Sequence, residues 1–63
     1  MKTENELFKE YGTVYNIEQV QKVFQIEGFL APFCTAIERS TLKKCVLQFQ
    51  HDPRFYWFVR YTD

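Results

Sequence analysis

The sequence contains one segment dominated by aromatic residues, Phe55-Tyr56-Trp57-Phe58-Val59-Arg60-Tyr61, in which five of seven residues are aromatic and only Arg60 is charged. Aromatic residues are enriched in strands, so the segment predicts a β-strand. Each aromatic side chain buries roughly 150–250 Å², so we expect this strand to anchor the core. Successive side chains alternate between the two sides of a strand, which leaves aromatic side chains on both faces.

The length of 63 residues predicts a single domain that spans residues 1–63. A domain this small buries only about 60% of the surface that its unfolded chain exposes, so it needs additional stabilisation. The chain has seven Phe, four Tyr and one Trp. This composition favours a dense aromatic core as the source of stability, with oligomerisation as the second candidate.

The net charge is zero, but the charges are unevenly distributed. Residues 1–38 carry three Lys and six Glu, which gives −3, and residues 39–63 carry five Lys or Arg and two Asp, which gives +3. Such asymmetry indicates either an anionic partner for the basic half or simply the preference of helices for glutamate.

Two cysteines, Cys34 and Cys45, are too few for a disulfide framework. The N-terminal residues are polar, and no apolar run approaches the ~20 residues that span a membrane. These features predict a cytoplasmic protein with no membrane partner, whose thiols stay free in a reducing compartment.

A first short helix is predicted over about residues 4–11. Thr3 and Glu6 have the spacing of a capping box. Gly12 follows, and glycine tolerates the left-handed conformation that often ends a helix. A helix of this length is not stable alone, so it must dock on another element.

A second helix is predicted over about residues 17–25. Asn16 is a preferred N-cap, and Gln19 stands at the capping-box position. The apolar residues that follow share one helical face: Ile17, Val20, Val23 and Phe24. We expect this helix to end before Gly28.

Three strands are predicted over about residues 29–39, 44–50 and 55–61. The first contains Pro32, which cannot donate to a sheet ladder and so makes this segment an edge strand, a bulge or a lead-in. The second alternates apolar and polar residues. The expected fold class is therefore α+β, with two short N-terminal helices packed on a three-stranded antiparallel β-meander.

The segment His51-Asp52-Pro53-Arg54 is the strongest turn signal, because Asp suits the first position of a type I turn and Pro the second. The number of residues in the loop between the two strands decides which aromatic residues are exposed, since a one-residue slip moves every side chain to the other face. We expect an odd loop with Gln50 opposite Tyr56, because this register pairs apolar with apolar residues. In this register, three residues of the aromatic strand lie on the face away from the helices: Tyr56, Phe58 and Arg60.

Patterns for catalysis and metal binding are weak. His51 is the only histidine, and Cys45 lies six residues away on the opposite face of a strand, at about 20 Å. Zinc sites usually need four nitrogen or sulfur ligands, and the two glycines form no phosphate-binding loop. We therefore expect no enzymatic activity, no cofactor, no metal and no small-molecule substrate.

Residues 54–61 also resemble a nucleic-acid-binding motif. Five of them match alternate positions of the RNP1 signature of RNA-recognition motifs, Lys/Arg-Gly-Phe/Tyr-Gly/Ala-Phe/Tyr-Val-x-Phe/Tyr: Arg54, Tyr56, Phe58, Val59 and Tyr61. Phe55 and Trp57 occupy the two small-residue positions of the signature. The chain is also too short for the βαββαβ arrangement of that family, so we infer no membership.

The first functional hypothesis is a small non-enzymatic protein–protein interaction module, or a homodimeric adaptor, that uses an aromatic sheet face. Exposed aromatic and Arg residues are typical of binding hot spots. The predicted partner-binding residues are Tyr56, Phe58, Arg60, Phe29 and Phe33.

The alternative is single-stranded nucleic-acid binding. Bases stack on exposed aromatic side chains for about 1–3 kcal/mol each. The residues predicted for this role are Arg54, Tyr56, Phe58, Arg60, Lys43 and Lys44. The zero net charge disfavours it, because affinity for nucleic acid comes largely from neutralised phosphates.

Overall fold

The computed structural model describes residues 1–62, which form two helices and five strands. In chain order these are α1 (Glu4–Tyr11), β1 (Val14–Tyr15), α2 (Ile17–Val23), β2 (Phe24–Leu30), β3 (Phe33–Glu38), β4 (Lys44–His51) and β5 (Arg54–Tyr61). The strands form one antiparallel sheet in the order β1-β5-β4-β3-β2. The predicted three-stranded meander is therefore wrong, because the chain forms additional strands at β1 and β2 and is mostly sheet.

Helix α1 is fixed at both ends by local contacts. The Thr3 hydroxyl accepts from the Glu6 N–H, and the Thr3 N–H donates to Glu6 Oε1 at 3.0 Å, so the capping box forms in both directions. Gly12 adopts φ 85°, and its N–H donates to the Phe8 carbonyl at 2.9 Å. Glycine enters this region without a steric cost, which ends the helix here.

Helix α2 begins at the predicted cap and ends two residues early. Asn16 Oδ1 accepts from the Gln19 N–H at 2.8 Å, and the Asn16 N–H donates to Gln19 Oε1 at 2.9 Å. The helix stops at Val23, and Phe24 is extended, with φ −128° and ψ 147°. Phe24 lies four residues after Val20 and so fits a helical face, but it begins β2 instead.

Strands β2 and β3 form a hairpin around Ala31–Pro32, which corrects the single strand predicted over residues 29–39. Leu30 lies opposite Phe33. The proline occupies the turn, where no ladder donor is required. The register shifts once along the hairpin, because Glu27 is an extra residue in β2 that forms a bulge.

Strands β4 and β5 are joined by a two-residue turn, Asp52–Pro53, so the predicted odd register is wrong. Tyr56 lies opposite Phe49 rather than Gln50. The two residues therefore point to the same face, and Tyr56 is buried instead of turned outward. Asp52 and Pro53 occupy the two central positions of the turn rather than its first and second positions, because His51 pairs with Arg54.

Helix α2 packs on one side of the sheet, which we call the α2 face. Strand β1 brings Tyr15 to this face opposite Tyr56, and the ring of Tyr15 meets that of Phe24 edge-on at 5.6 Å. The buried core here contains Val20, Phe24, Cys34, Ala36, Cys45, Leu47, Phe49 and Tyr56. Leu47 lies at its centre with no exposed surface.

Helix α1 packs on the other side, the α1 face, which corrects the expectation that both helices cover one face. Val14 and Trp57 pair across β1 and β5, and Leu7 of the helix completes a second buried cluster with them. Tyr11 stacks on Trp57 with ring centroids 4.6 Å apart. A helix of 8 residues is about 12 Å long, whereas 8 residues of strand extend about 26 Å. Helix α1 is therefore too short to cover the full length of this face.

Candidate interaction surface

The part of the α1 face that α1 leaves uncovered is a shallow apolar groove, which we call the open face. Its lining residues are Leu30, Phe33, Thr35, Val46, Val59 and Arg60. Leu30 is 81% exposed, Phe33 40% and Val59 39%. Contiguous exposed apolar side chains mark interaction sites in soluble proteins, so this groove is the strongest candidate site among residues 1–62.

The strand register places the open-face residues in rows across the sheet. Leu30 lies beside Phe33, and Phe33 lies opposite Gln48. The next row crosses four strands and consists of Gly28, Thr35, Val46 and Arg60. The first row is bulky and mostly apolar and the second has short side chains at its centre, so the surface is grooved.

A bulge in β5 brings Val59 to this groove. Phe58 lies opposite Leu47 and Arg60 lies opposite Val46, so Val59 is an extra residue in the strand. A bulge locally disrupts the alternation of side chains. Phe58 therefore points to the α2 face, whereas both Val59 and Arg60 line the open face.

Two charged side chains flank the open face from opposite sides. Glu27 lies on β2, where it lines an adjoining depression with Thr35 and Lys44, and Arg60 lies on β5. Neither Glu27 nor Arg60 has a polar partner within residues 1–62. Three strand spacings separate β2 from β5, which is about 14 Å, so the two charges do not pair within one molecule.

The five predicted partner-binding residues are distributed over both faces of the sheet. Phe33 and Arg60 lie on the open face. Phe29 lies on the α2 face, where its ring meets a core phenylalanine edge-on at 5.6 Å. Tyr56 is buried on that face at 4% exposure, and Phe58 lies there at 36%. The predicted set is therefore not one contact centre.

The residues predicted for nucleic-acid contact also lie apart. The Arg54 guanidinium donates to Tyr56 Oη at 3.1 Å on the α2 face. The Lys43 ammonium lies 5.4 Å from the ring centroid of Tyr61, near the end of β5. Arg60 lies on the open face. Arg54, Phe58 and the Lys43–Tyr61 pair thus follow the α2 side of β5, whereas Arg60 is on the opposite side, so the predicted set is divided between the two faces.

The two thiols are buried in the α2-face core. Cys34 and Cys45 are unpaired, and each is 1% exposed. Burial raises the pKa of Cys34 to about 11, and burial together with the nearby Glu38 carboxylate raises the pKa of Cys45. The thiolate is the reactive form of cysteine, so both thiols are protonated at neutral pH. No group of three or more metal-ligating side chains comes together within residues 1–62.

Sequence reasoning did not identify five residues of this surface: Leu30, Thr35, Val46, Val59 and Glu27. The two-residue alternation of apolar and polar side chains over residues 24–27 was a signal for β2, and β2 carries both Leu30 and Glu27. No pattern in the sequence indicates the bulge at Val59, because bulged and regular strands have similar compositions there.

No protein-family model matches the chain, and comparisons with curated proteins and with solved structures also found no match. Neither helix of residues 1–62 is long and apolar enough to cross a membrane.

Proposed function

We propose that this protein is a non-enzymatic protein–protein interaction module that binds its partner through the open face. The observation that supports the proposal is the exposure of Leu30, Phe33 and Val59 together in one groove on one side of the sheet. Each buried large aliphatic or aromatic side chain contributes about 1.5–3 kcal/mol. A partner that covers these three residues therefore gains several kcal/mol before it makes any polar contact.

The composition of the open face also supports binding. Phe33 supplies an aromatic anchor and Arg60 a cation at the border, and aromatic and Arg residues are enriched among binding hot spots. Thr35 and Val46 are short and lie between the bulkier residues, so they form a depression that accepts a side chain from the partner.

The thiols support a structural rather than a catalytic role for the two cysteines. The raised pKa values of Cys34 and Cys45 disfavour the thiolate that nucleophilic catalysis needs. Two buried and unpaired cysteines are typical of a reducing compartment, which supports the proposal of a cytoplasmic location.

Site-specific photocrosslinking tests the docking surface. A benzophenone amino acid replaces Phe33 on the open face in one variant and Phe8 in the matched control. Phe8 is 60% exposed on α1. After irradiation in the cells that make the protein, we expect discrete adducts from position 33 and none of the same bands from position 8. Identical patterns from both positions, or no adduct from position 33, would rule out the open face as the docking surface.

Titration with single-stranded oligonucleotides tests the alternative function. Binding is measured either by the fluorescence of Trp57 or by the anisotropy of a labelled oligonucleotide. The proposal predicts that no oligonucleotide binds at low salt. Nucleic-acid binding weakens steeply as salt rises, whereas a hydrophobic interface holds or tightens. Salt-sensitive binding that is lost in an Arg60→Ala variant would replace the protein partner with a nucleic acid.

A further inference from the structure

We propose that the protein has a second binding site, next to the turn between β4 and β5, which takes a carboxylate that carries an apolar or aromatic body. The guanidinium of Arg54 binds the carboxylate, and the body enters an adjoining notch between the ends of the strands. The inference goes beyond the proposed function, because this site shares no lining residue with the open face.

The Arg54 guanidinium is held in one position by its neighbours. It donates to Tyr56 Oη at 3.1 Å and to His51 Nδ1 at 2.8 Å. It also lies 4.9 Å from the ring centroid of Phe49, which is a cation–π contact. Arginine has no acceptor atom, so Nδ1 of His51 accepts the hydrogen bond and the ring proton is on Nε2. A group that is oriented before its ligand arrives loses less entropy on binding.

The charge of Arg54 is not neutralised by a neighbouring carboxylate. Within residues 1–62 Arg54 forms no salt bridge, and both acceptors that it contacts are neutral. The side chain is half-buried, and its Nε is buried without a hydrogen-bond partner. A cation that is removed from water costs free energy unless an anion pairs with it. Each Nη atom also carries a second N–H, and such a pair binds a carboxylate through two hydrogen bonds.

The notch exists because β4 extends past the start of β3. Phe33 begins β3 opposite Gln48, whereas β4 continues to His51. The end of β4 therefore extends about 10 Å without a β3 residue opposite it. The notch at this place has a volume of about 520 Å³, and its lining residues are Met1, Ala31, Pro32, Phe49, Gln50 and His51. Phe49 and His51 also contact Arg54, so the guanidinium borders the notch.

The lining of the notch selects a ligand with an apolar body. Most of the lining is apolar, since it consists of Met1, Ala31, Pro32 and Phe49 beside two polar residues. The volume lies within the roughly 300–1,000 Å³ of small-molecule sites. Phe29 is 59% exposed and meets the ring of Phe49 edge-on at 5.6 Å. It therefore provides a further aromatic surface beside the site.

The charges at the turn select a carboxylate rather than a phosphate. Asp52 and Arg54 are the charged side chains next to the turn. A phosphate monoester carries about two negative charges at neutral pH, and Asp52 repels the second. A carboxylate carries a single charge and matches the planar guanidinium. His51 is exposed, and its Nε2–H is a further donor that forms no hydrogen bond within residues 1–62.

Free acids and the C-termini of peptides share this chemistry, and the backbone of β4 distinguishes them. The Phe49 N–H donates to the Pro32 carbonyl at 2.9 Å, on the β3 side. Residues two apart present their backbone groups to the same side of a strand, so His51 presents its N–H and C=O to the notch. An extended peptide pairs with such groups by strand addition, whereas a free acid does not.

NMR titration with N-acetylphenylalanine tests the site. The signals to follow are the Nε–H of Arg54 and the backbone N–H of His51. We expect saturable shifts of both signals, with a dissociation constant of about 1 mM for a ligand of this size. The matched ligand is the corresponding amide, which has the same body and no charge. It is expected to bind at least about tenfold more weakly, because it cannot form the charge-assisted pair.

Two substitutions on β5 form a matched pair of variants. Arg54→Gln is expected to weaken the binding of N-acetylphenylalanine at least about tenfold. Arg60→Gln removes a cation from the same strand on the open face, and it is expected to change the binding by less than about twofold. The comparison of acid with amide uses the wild-type protein, so it decides the role of the charge even where Arg54→Gln does not fold.

An acetylated tetrapeptide, Ala-Ala-Ala-Phe with a free C-terminus, separates the two sources of the carboxylate. Binding that is at least about tenfold tighter than that of N-acetylphenylalanine would support peptide C-termini as the ligand, and equal binding would support free acids. The absence of saturable shifts up to about 20 mM, well above the expected constant, would overturn the site. Equal binding of acid and amide, or equal weakening by the two substitutions, would also overturn it.

Inorganic phosphate is the last probe. If it saturates the Arg54 and His51 signals and N-acetylphenylalanine does not, the carboxylate is the wrong ligand class and the inference fails. These results do not depend on the photocrosslinking at position 33, because Phe33 lines the open face and not the notch. The second site and the proposed function can therefore fail separately.

Discussion

Replacement of Leu7 by alanine is expected to release α1 from the sheet while the rest of the sheet stays folded. Leu7 is 1% exposed and is the helix residue buried against Val14 and Trp57. Removal of a buried leucine side chain costs about 2–5 kcal/mol. The cost is expected near the middle of this range, about 3 kcal/mol, because a short helix at the surface relaxes partly around the space.

The other contacts of α1 do not compensate for this loss. The stack of Tyr11 on Trp57 contributes about 0.5–1.5 kcal/mol beyond burial, and the cap at Thr3 contributes about 1 kcal/mol. The Gln50 side chain donates to the Lys2 carbonyl at 2.7 Å, which adds about 1 kcal/mol. An isolated helix of 8 residues is not stable in water, so these contacts alone, without the burial of Leu7, are not expected to keep it docked.

Two measurements follow the release. Trp57 is 4% exposed under α1, so its fluorescence is expected to shift to the red in Leu7→Ala. In hydrogen exchange, the amides of α1 are expected to lose protection while those of β4 keep it, as in local unfolding. The control is Phe8→Ala, whose side chain is 60% exposed on the same helix, and it should change neither observable. An unchanged Trp57 emission, or equal loss of protection in α1 and β4, would refute the reasoning.

Three further predictions concern stability and titration. Leu47→Ala is expected to lower the free energy of unfolding in urea by about 3 kcal/mol. This is a large part of the roughly 3–9 kcal/mol by which a chain of this size is stable. A loss below about 1 kcal/mol would contradict the central place of Leu47 in the core. Burial raises the pKa of Cys34 from 9.0 to about 11. The contribution of this thiol to stability is therefore complete below pH 9 and is lost as the pH rises toward about 11. Cys34→Ala should make the urea midpoint depend less on pH across this window, and an unchanged dependence on pH would count against the shift. Hydrogen bonds from the Thr3 backbone and hydroxyl lower the pKa of Glu6, so Thr3→Ala is expected to raise that pKa in an NMR titration, and no change would show that the hydroxyl does not contribute.

The parts of the fold that follow from neighbouring residues could be predicted from the sequence. Both helix starts depend on contacts three residues apart, Thr3 with Glu6 and Asn16 with Gln19, and these contacts are visible as residue spacing. The end of α1 likewise depends on one glycine, Gly12, with positive φ.

The parts that depend on pairing between distant residues could not be predicted. Phe24 fits a helical face with Val20, yet it enters β2 because it is buried at 2% exposure in the α2-face core. Strand β1 has only 2 residues, and nothing in Val14–Tyr15 alone indicates that it pairs with β5. Of the candidate site, Phe33 and Arg60 were predicted, whereas Leu30 required knowledge of β2 and its register.

The aromatic strand β5 explains why one face of the sheet stays open. Its first half alternates regularly, so that Tyr56 enters the core under α2 and Trp57 the core under α1. Both helices thus act on the same half of the strand. Beyond the bulge, Val59 and Arg60 continue past the end of α1, and no element of residues 1–62 packs over them.

The bulge also determines the chemistry of that open face. If β5 were regular, with Val59 opposite Val46, Arg60 would lie on the α2 face with Phe58, because residues two apart share a side of a regular strand. The open face would then lose its only unpaired cation, as far as residues 1–62 are concerned, and the opposite charges at Glu27 and Arg60 would no longer lie on one surface. Deletion of Val59 would make Arg60 the direct neighbour of Phe58 and leave it opposite Val46 on the open face, but it would remove the bulge that protects the β5 edge against strand addition.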